Sequence, residues 1–259
     1  MQDKDKTRII EYLAKNFETD QFRDYFWDMC KTLPDYIWEM PASTSGRYHN
    51  ADQVMQRGQL VHVLMQASIW EHLLRLEYFN TKLFPTPEAR DSVRCIPLFH
   101  DGFKCGDNKT KSTVPEHPML AAKWVLETHP AHDIPDNYRE FIADMCAAHS
   151  GQWNTDKKKR EIMPKPKNIQ EEMVHVADIL SSRVDLTFII PSELDDIFNG
   201  GADLFKLTYE TYKLPFGKYA ERTWPEIYAI DPGYCQWALE YLNDLRIKKY
   251  LRDFLETLK

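Results

Sequence analysis

Six residues of this 259-residue chain combine the types and order needed for hydrolytic metal chemistry: His62, the adjacent pair His100 and Asp101, His117, His149 and Asp178. Imidazole and carboxylate groups suit divalent transition metals, and a two-metal hydrolytic site needs several of them plus one bridging group. Asp101 is the natural bridge, because a carboxylate offers two oxygens and its neighbour His100 supplies a second ligand from the same place. The other histidines read differently. His72 lies ten residues after His62, about 280° round a helix, and so is not expected to share its site. A second His-Asp pair, His132 and Asp133, is bracketed by Pro130 and Pro135 and reads as a surface loop. His129 and His175 read as surface or packing residues, and His49 stays unassigned. Lys104, three residues after Asp101, reads either as a group for a phosphate oxygen or as a solvated lysine. Lys157, Lys158, Lys159 and Arg160 form a basic run that reads as a solvated loop.

The elements that must position these residues are helical. Ile9, Leu13 and Phe17 make one apolar stripe, and Phe22, Phe26 and Met29 make another before Pro34 interrupts. The segment PASTSGRYHN is a loop by its turn chemistry. Helices are predicted over residues 60–79, with His62 in the first turn, then over 90–99, 119–127, 137–148 and 169–184. A short helix is predicted over 191–201 with Gly200 and Gly201 as its C-terminal cap, and a final helix carries Leu245, Tyr250, Phe254 and Leu258. Hydrophobic residues make up 43% of the chain and charged residues 28%, ordinary globular usage. The net charge of -7 argues against a broad basic face for duplex nucleic acid. The five cysteines are scattered without a C-x-x-C pair, which fits a reducing compartment. The start MQDKDKTR is charged, and no run of about 18 apolar residues occurs. A cytoplasmic location without membrane contact is therefore expected.

Several stretches resemble one family, the HD-domain metal-dependent phosphohydrolases. RGQLVHVLMQA resembles their first-histidine helix, LFHDGFK their HD motif, EHPMLAAKWV the third-histidine helix start, CAAHSGQW the fourth-histidine turn and VHVADILSSR the closing A-D-x-L-S helix. The resemblance spans about 60–185 and implies an all-α fold: an HD-domain helical bundle over 46–204 after a helical lead-in over 1–45. It implies two divalent ions (Mn, Fe, Co, Ni or Mg) held by His62, His100, Asp101, His117, His149 and Asp178. Asp101 and Lys104 would be the catalytic residues. Lys104, His49, Lys157, Lys158 and Lys159 would face a nucleotide or short oligonucleotide substrate, the lysine run by lying near the pocket mouth. Two departures, Arg57-Gly58-Gln59 before the first helix and Gly102-Phe103 after the HD pair, alter the pocket surroundings without removing a ligand.

LPFGKYAERTWPEIYAIDPGYCQWALEYL resembles the C-terminal module of exodeoxyribonuclease X-like proteins and defines a small α-rich module over 205–259, with its boundary near 205–213. Phe216, Lys218, Tyr219, Tyr234 and Trp237 there either stack on single-stranded nucleic acid or form an aromatic mini-core. The expected activity is metal-dependent hydrolysis of phosphate esters or anhydrides in nucleotides or short oligonucleotides. A 3′-5′ exonuclease acting on single strands and an HD-type di-iron oxygenase are the alternatives, and a degenerate regulatory domain is disfavoured by the complete ligand set.

Overall fold

The computed structural model describes residues 1–43, 49, 51–107, 110, 113–156, 158–183, 186, 188–198, 209–214, 217–242 and 245–258. The fold is all-α. Its helices are α1 (Asp3–Ala14), α2 (Asp20–Cys30), α3 (Ala51–Val54), α4 (Gly58–Leu74), α5 (Pro87–Phe99), α6 (His117–Glu127), α7 (Asp136–Ala148), α8 (Ile169–Ser182), α9 (Asp195–Phe198), α10 (Trp224–Ile230), α11 (Pro232–Tyr241) and α12 (Leu245–Glu256). Among the described residues no strand forms; two isolated bridges, Thr155 with Glu161 and Lys213 with Thr223, are the β-type pairings. No helix among them is long and apolar enough to cross a membrane.

Helix ends depart from the sequence expectation where local chemistry or packing intervenes. The helix expected over 60–79 stops at Leu74, and a π-type turn follows over Phe79–Leu83. It closes when Phe84 N–H donates to the Phe79 carbonyl, while the buried Phe84 ring packs edge-on against Trp70 at 5.8 Å. Anchoring of Phe84 in the core thus outweighs a segment that has no Gly or Pro to stop it. α5 begins at Pro87, ahead of the expected start, because the Thr86 hydroxyl accepts from Ala89 N–H at 3.1 Å and Pro fits the first turn. Lys104 does not continue a helix from Asp101; 101–107 is a series of turns. The Gly200–Gly201 cap, Lys157, Phe216 and residues 205–208 of the expected boundary lie outside the described residues.

The chain divides into two compact units, residues 1–39 with 62–181 and residues 40–61 with 182–259. In the first, α2 packs on α1 and α5, and α7 packs on α5 and α6. An aromatic column fills the space between them: Phe17 on Phe26 (5.2 Å), Phe26 stacked on Phe99 (5.5 Å) and Phe99 edge-on to Trp124 (4.9 Å). Phe99 immediately precedes His100, so this column fixes the end of α5. The start of α2 is held from α5: fully buried Asp91 accepts from Glu18 N–H, Thr19 N–H and the Thr19 hydroxyl at 2.8–3.1 Å. Beside it Arg90 and Arg94 both pair with Glu18, and Arg94 also reaches Glu71.

In the second unit α10, α11 and α12 enclose Tyr212, Leu214, Tyr219, Trp224, Ile227, Ile247, Leu251 and Phe254. Tyr212 stacks on Tyr250 at 4.6 Å, and a Thr223–Glu226 capping box starts α10. Gly58, where α4 starts, lies against the Gln53 backbone so closely that a Cβ would fall 2.1 Å from its carbonyl oxygen.

The Arg90 hydrogen bond, helped by Arg94, lowers the Glu18 carboxyl from its ordinary 4.5 to about 2. A depressed carboxyl contributes stability that is present above the unfolded value and lost as pH falls through the folded one. Glu18→Gln is therefore expected to lower the Tm at pH 6, with the difference from wild type shrinking between pH 4.5 and 2. Thermal melts across that range check it; a constant difference at every pH would reject the assignment.

Candidate metal centre

Five helices deliver six side chains to one buried spot in the first unit. His62 comes from the body of α4 and Asp178 from α8. His100 caps α5, with Asp101 following it, His117 opens α6 and His149 caps α7. Side-chain exposure is 0% for His100, 1% for His62, 3% for Asp101 and His149, 10% for His117 and 23% for Asp178.

The donor atoms fall into two groups that share Asp101. In the first, His62 Nε2 is 3.4 Å from His100 Nε2 and 3.0 Å from Asp178 Oδ1, and His100 Nε2 is 3.5 Å from that oxygen. Asp101 Oδ2 lies 3.4 Å from His100 Nε2 and 3.9 Å from His62 Nε2. In the second group His117 Nε2 is 3.2 Å from His149 Nε2, and Asp101 Oδ1 is 3.0 and 3.8 Å from the two. Ligands bound at about 2.1 Å to one ion lie about 3.0–3.4 Å apart for octahedral to tetrahedral angles. The donor separations are thus close to those of a coordination shell, and two sets among them, His62–His100–Asp178 and His100–Asp101–His149, could each hold a metal ion.

Ring orientation follows from the second nitrogen of each imidazole. Nδ1 of His100 faces the Ile96 carbonyl at 3.0 Å, that of His117 the Val114 carbonyl at 2.8 Å, and that of His149 the Cys146 carbonyl at 2.7 Å. A carbonyl only accepts, so each Nδ1 carries a hydrogen and each ring, in its neutral form, presents its Nε2 lone pair to the cluster. His62 reaches the same state through Ser181: the Ser181 hydroxyl donates to the Asp178 carbonyl at 2.9 Å and accepts from His62 Nδ1–H at 3.2 Å. Four lone pairs and two carboxylates converging in a dry site repel one another unless positive charge lies between them.

The titration behaviour reflects that demand. Burial opposes a charge on His100, but Asp101 and Asp178 prevail and push it up to about 10. Burial, with the His100 and His117 rings, takes His149 down to about 3. Burial also opposes ionisation of Asp101, yet Lys104 and His100 hold it well below the usual carboxylate range; His100 and His62 do the same for Asp178. Lys104 Nζ donates to Asp101 Oδ2 at 2.5 Å. With His100 carrying a proton, His100 and Lys104 balance Asp101 and Asp178, and a cation would take the place of that proton.

Known proteins do not add to this geometry. The chain matches no protein family, no curated protein and no solved structure. The reading of the site therefore rests on its residues.

The remaining predicted residues separate from the cluster or take other partners. Lys158 and Lys159 are exposed and no hydrogen bond or ion pair ties them to the His-Asp cluster, while Arg160 pairs with Asp156 at 2.6 Å. His49 belongs to the second unit and contacts Gln53 at 2.8 Å. His132 pairs with Asp28, and Asp133 is taken by Arg139, so the second His-Asp pair is spent on surface contacts. His72 is exposed. His175 is buried, its Nδ1–H donating to the His149 carbonyl at 2.8 Å. In the second unit Tyr219 is buried with its hydroxyl on Asp231, Lys218 pairs with the same carboxylate, Tyr234 is half-buried, and Trp237 is 44% exposed. Ser181 was not singled out in the sequence; its place three residues after Asp178, on one helix face, is the signal that identifies it.

Two substitutions test this arrangement. Ser181→Ala removes the acceptor for His62 Nδ1–H and is expected to weaken divalent-cation binding about 10- to 100-fold, read by competition against a chelating dye. Gly151 has φ +54°, and a Cβ there would sit 2.3 Å from the His175 ring. Gly151→Ala is expected to cost more than about 1 kcal/mol of stability in chemical denaturation.

Proposed function

We propose that this chain is a metal-dependent hydrolase of phosphate esters or anhydrides in nucleotides or short oligonucleotides, working with a pair of divalent transition-metal ions. The observation that carries the reading is the division of Asp101: Oδ2 belongs to the His62–His100–Asp178 group and Oδ1 to the His117–His149 group. A carboxylate shared between two imidazole-rich half-sites is the donor arrangement for two neighbouring ions. Such ions, when bound, supply Lewis acidity and make water a nucleophile at neutral pH.

The protein's own residues do the rest. The carbonyl-anchored histidines keep their Nε2 lone pairs directed inward, and burial keeps bulk water from competing for them. Lys104 compensates the buried Asp101 and supplies a cationic partner for a phosphate oxygen once a cation takes over that carboxylate. Asp178, the most exposed ligand, marks the side from which substrate and solvent approach. The resemblance of the five motifs to HD-domain phosphohydrolases supports the reaction class. The net charge of -7 favours a small substrate over a long duplex. All five cysteines are buried and free, which suits a reducing, cytoplasmic setting.

The test combines metal analysis of purified protein with a panel of nucleotides, cyclic nucleotides, dinucleoside polyphosphates and labelled oligonucleotides. Phosphate-ester or anhydride cleavage is expected, falling by at least about a hundredfold in His100→Ala and Asp101→Ala. Processive shortening of the oligonucleotides alone would move the reading to an exonuclease. Iron content with oxygen uptake and no phosphate release would assign the same ligands to an oxygenase. Metal-loaded protein inert towards the whole panel would overturn the hydrolase.

A further inference from the structure

Gln66 lies four residues after His62 in α4 and is fully buried. Neither its Oε1 nor its Nε2 has a hydrogen-bond partner among the described residues. The Tyr25 hydroxyl and the Trp70 indole nitrogen, also unmet, are single groups on largely apolar side chains, and Arg139, whose Nε is unmet, bonds through its other nitrogens to His129, Asp133 and Ile134. Gln66 combines an unmet donor with an unmet acceptor, a costly state for a side chain with no apolar surface of comparable size to offset it. Gln53, buried in the second unit, contacts His49 instead.

The place of Gln66 indicates what it lacks. Residues four apart share a helix face with Cβ atoms about 5–6 Å apart. Long helical side chains lean towards the N-terminus, over the preceding turn. Gln66 therefore shares the face of α4 that carries His62, whose Nε2 belongs to the His62–His100–Asp178 group. A water molecule on a cation in that group has hydrogens for Oε1 and, once a proton is lost, lone pairs for Nε2. An aliphatic residue at this position would do neither.

We infer that Gln66 is a positioning residue that holds the solvent ligand of the cation bound by His62, His100 and Asp178. This rests on the proposed metal occupancy and is independent of which substrate is cleaved. The experiment is a Co²⁺ titration of metal-free, full-length protein by competition against a chelating dye, with thermal melts of each metal-free form. Gln66→Met keeps the length of the side chain and Gln66→Leu its approximate volume, and both remove the orphaned amide. Both variants are expected to unfold at or above the wild-type Tm when metal-free and to bind Co²⁺ about 10- to 100-fold more weakly. Wild-type affinity in the two variants overturns the inference, as does a lowered metal-free Tm with unchanged affinity, which would make Gln66 a packing residue. Wild-type protein that binds no Co²⁺ overturns the metal reading and this inference with it, so the two failures are distinguishable.

Discussion

The hydrogen bonds from histidine Nδ1 to backbone carbonyls are the constraint on which the site depends. An imidazole that has given its one N–H to Ile96, Val114 or Cys146 has only a lone pair left for the interior. The acceptors lie three or four residues before the histidine they orient, so each ring is fixed by its own local chain. Global packing then has only to bring helix ends together. The aromatic column through Phe26, Phe99 and Trp124 does this for α2, α5 and α6, setting His100 directly beyond the Phe99 ring.

That division of labour explains what could be read from the sequence. The helical character was legible, and so was the set of His and Asp residues that the fold brings together, because residue type and motif order are local properties. The helices bearing the ligands were placed to within a few residues, and the differences arose where a cap or a buried ring decided the end, as at Thr86 and Phe84. Convergence was not legible: nothing in the spacing of His62, His100 and Asp178 says that their donor atoms lie within 3.5 Å of one another. The fate of single charges was no more readable. Lys104 and Arg160 look alike as solvated cations in a sequence, yet one is buried on Asp101 and the other, itself exposed, pairs with Asp156 four residues before it. His132–Asp133 carries the same two letters as His100–Asp101, and only the competing partners Asp28 and Arg139 distinguish them in space.

Electrostatics and stability pull against each other at the cluster. Two carboxylates and four imidazoles in a nearly dry site cost folding free energy that Lys104 and the proton on His100 offset only in part. The surrounding structure absorbs that cost with satisfied features elsewhere, among them the Asp91 anchor of α2 and the Arg90–Glu18–Arg94 cluster. A divalent cation on the proposed ligands would relieve the repulsion, so occupancy and foldedness become thermodynamically linked.

Asp178 differs from its five partners in having nearly a quarter of its side chain in contact with solvent. The others are walled in, so an ion leaving the cluster must pass this carboxylate or wait for a helix to open. The same residue lends its backbone carbonyl to Ser181, and through Ser181 to His62. A displacement of α8 would therefore widen the doorway and release the His62 ring in one movement. Were a cation held here as proposed, its exchange would follow the movement of α8 more than the strength of any single bond.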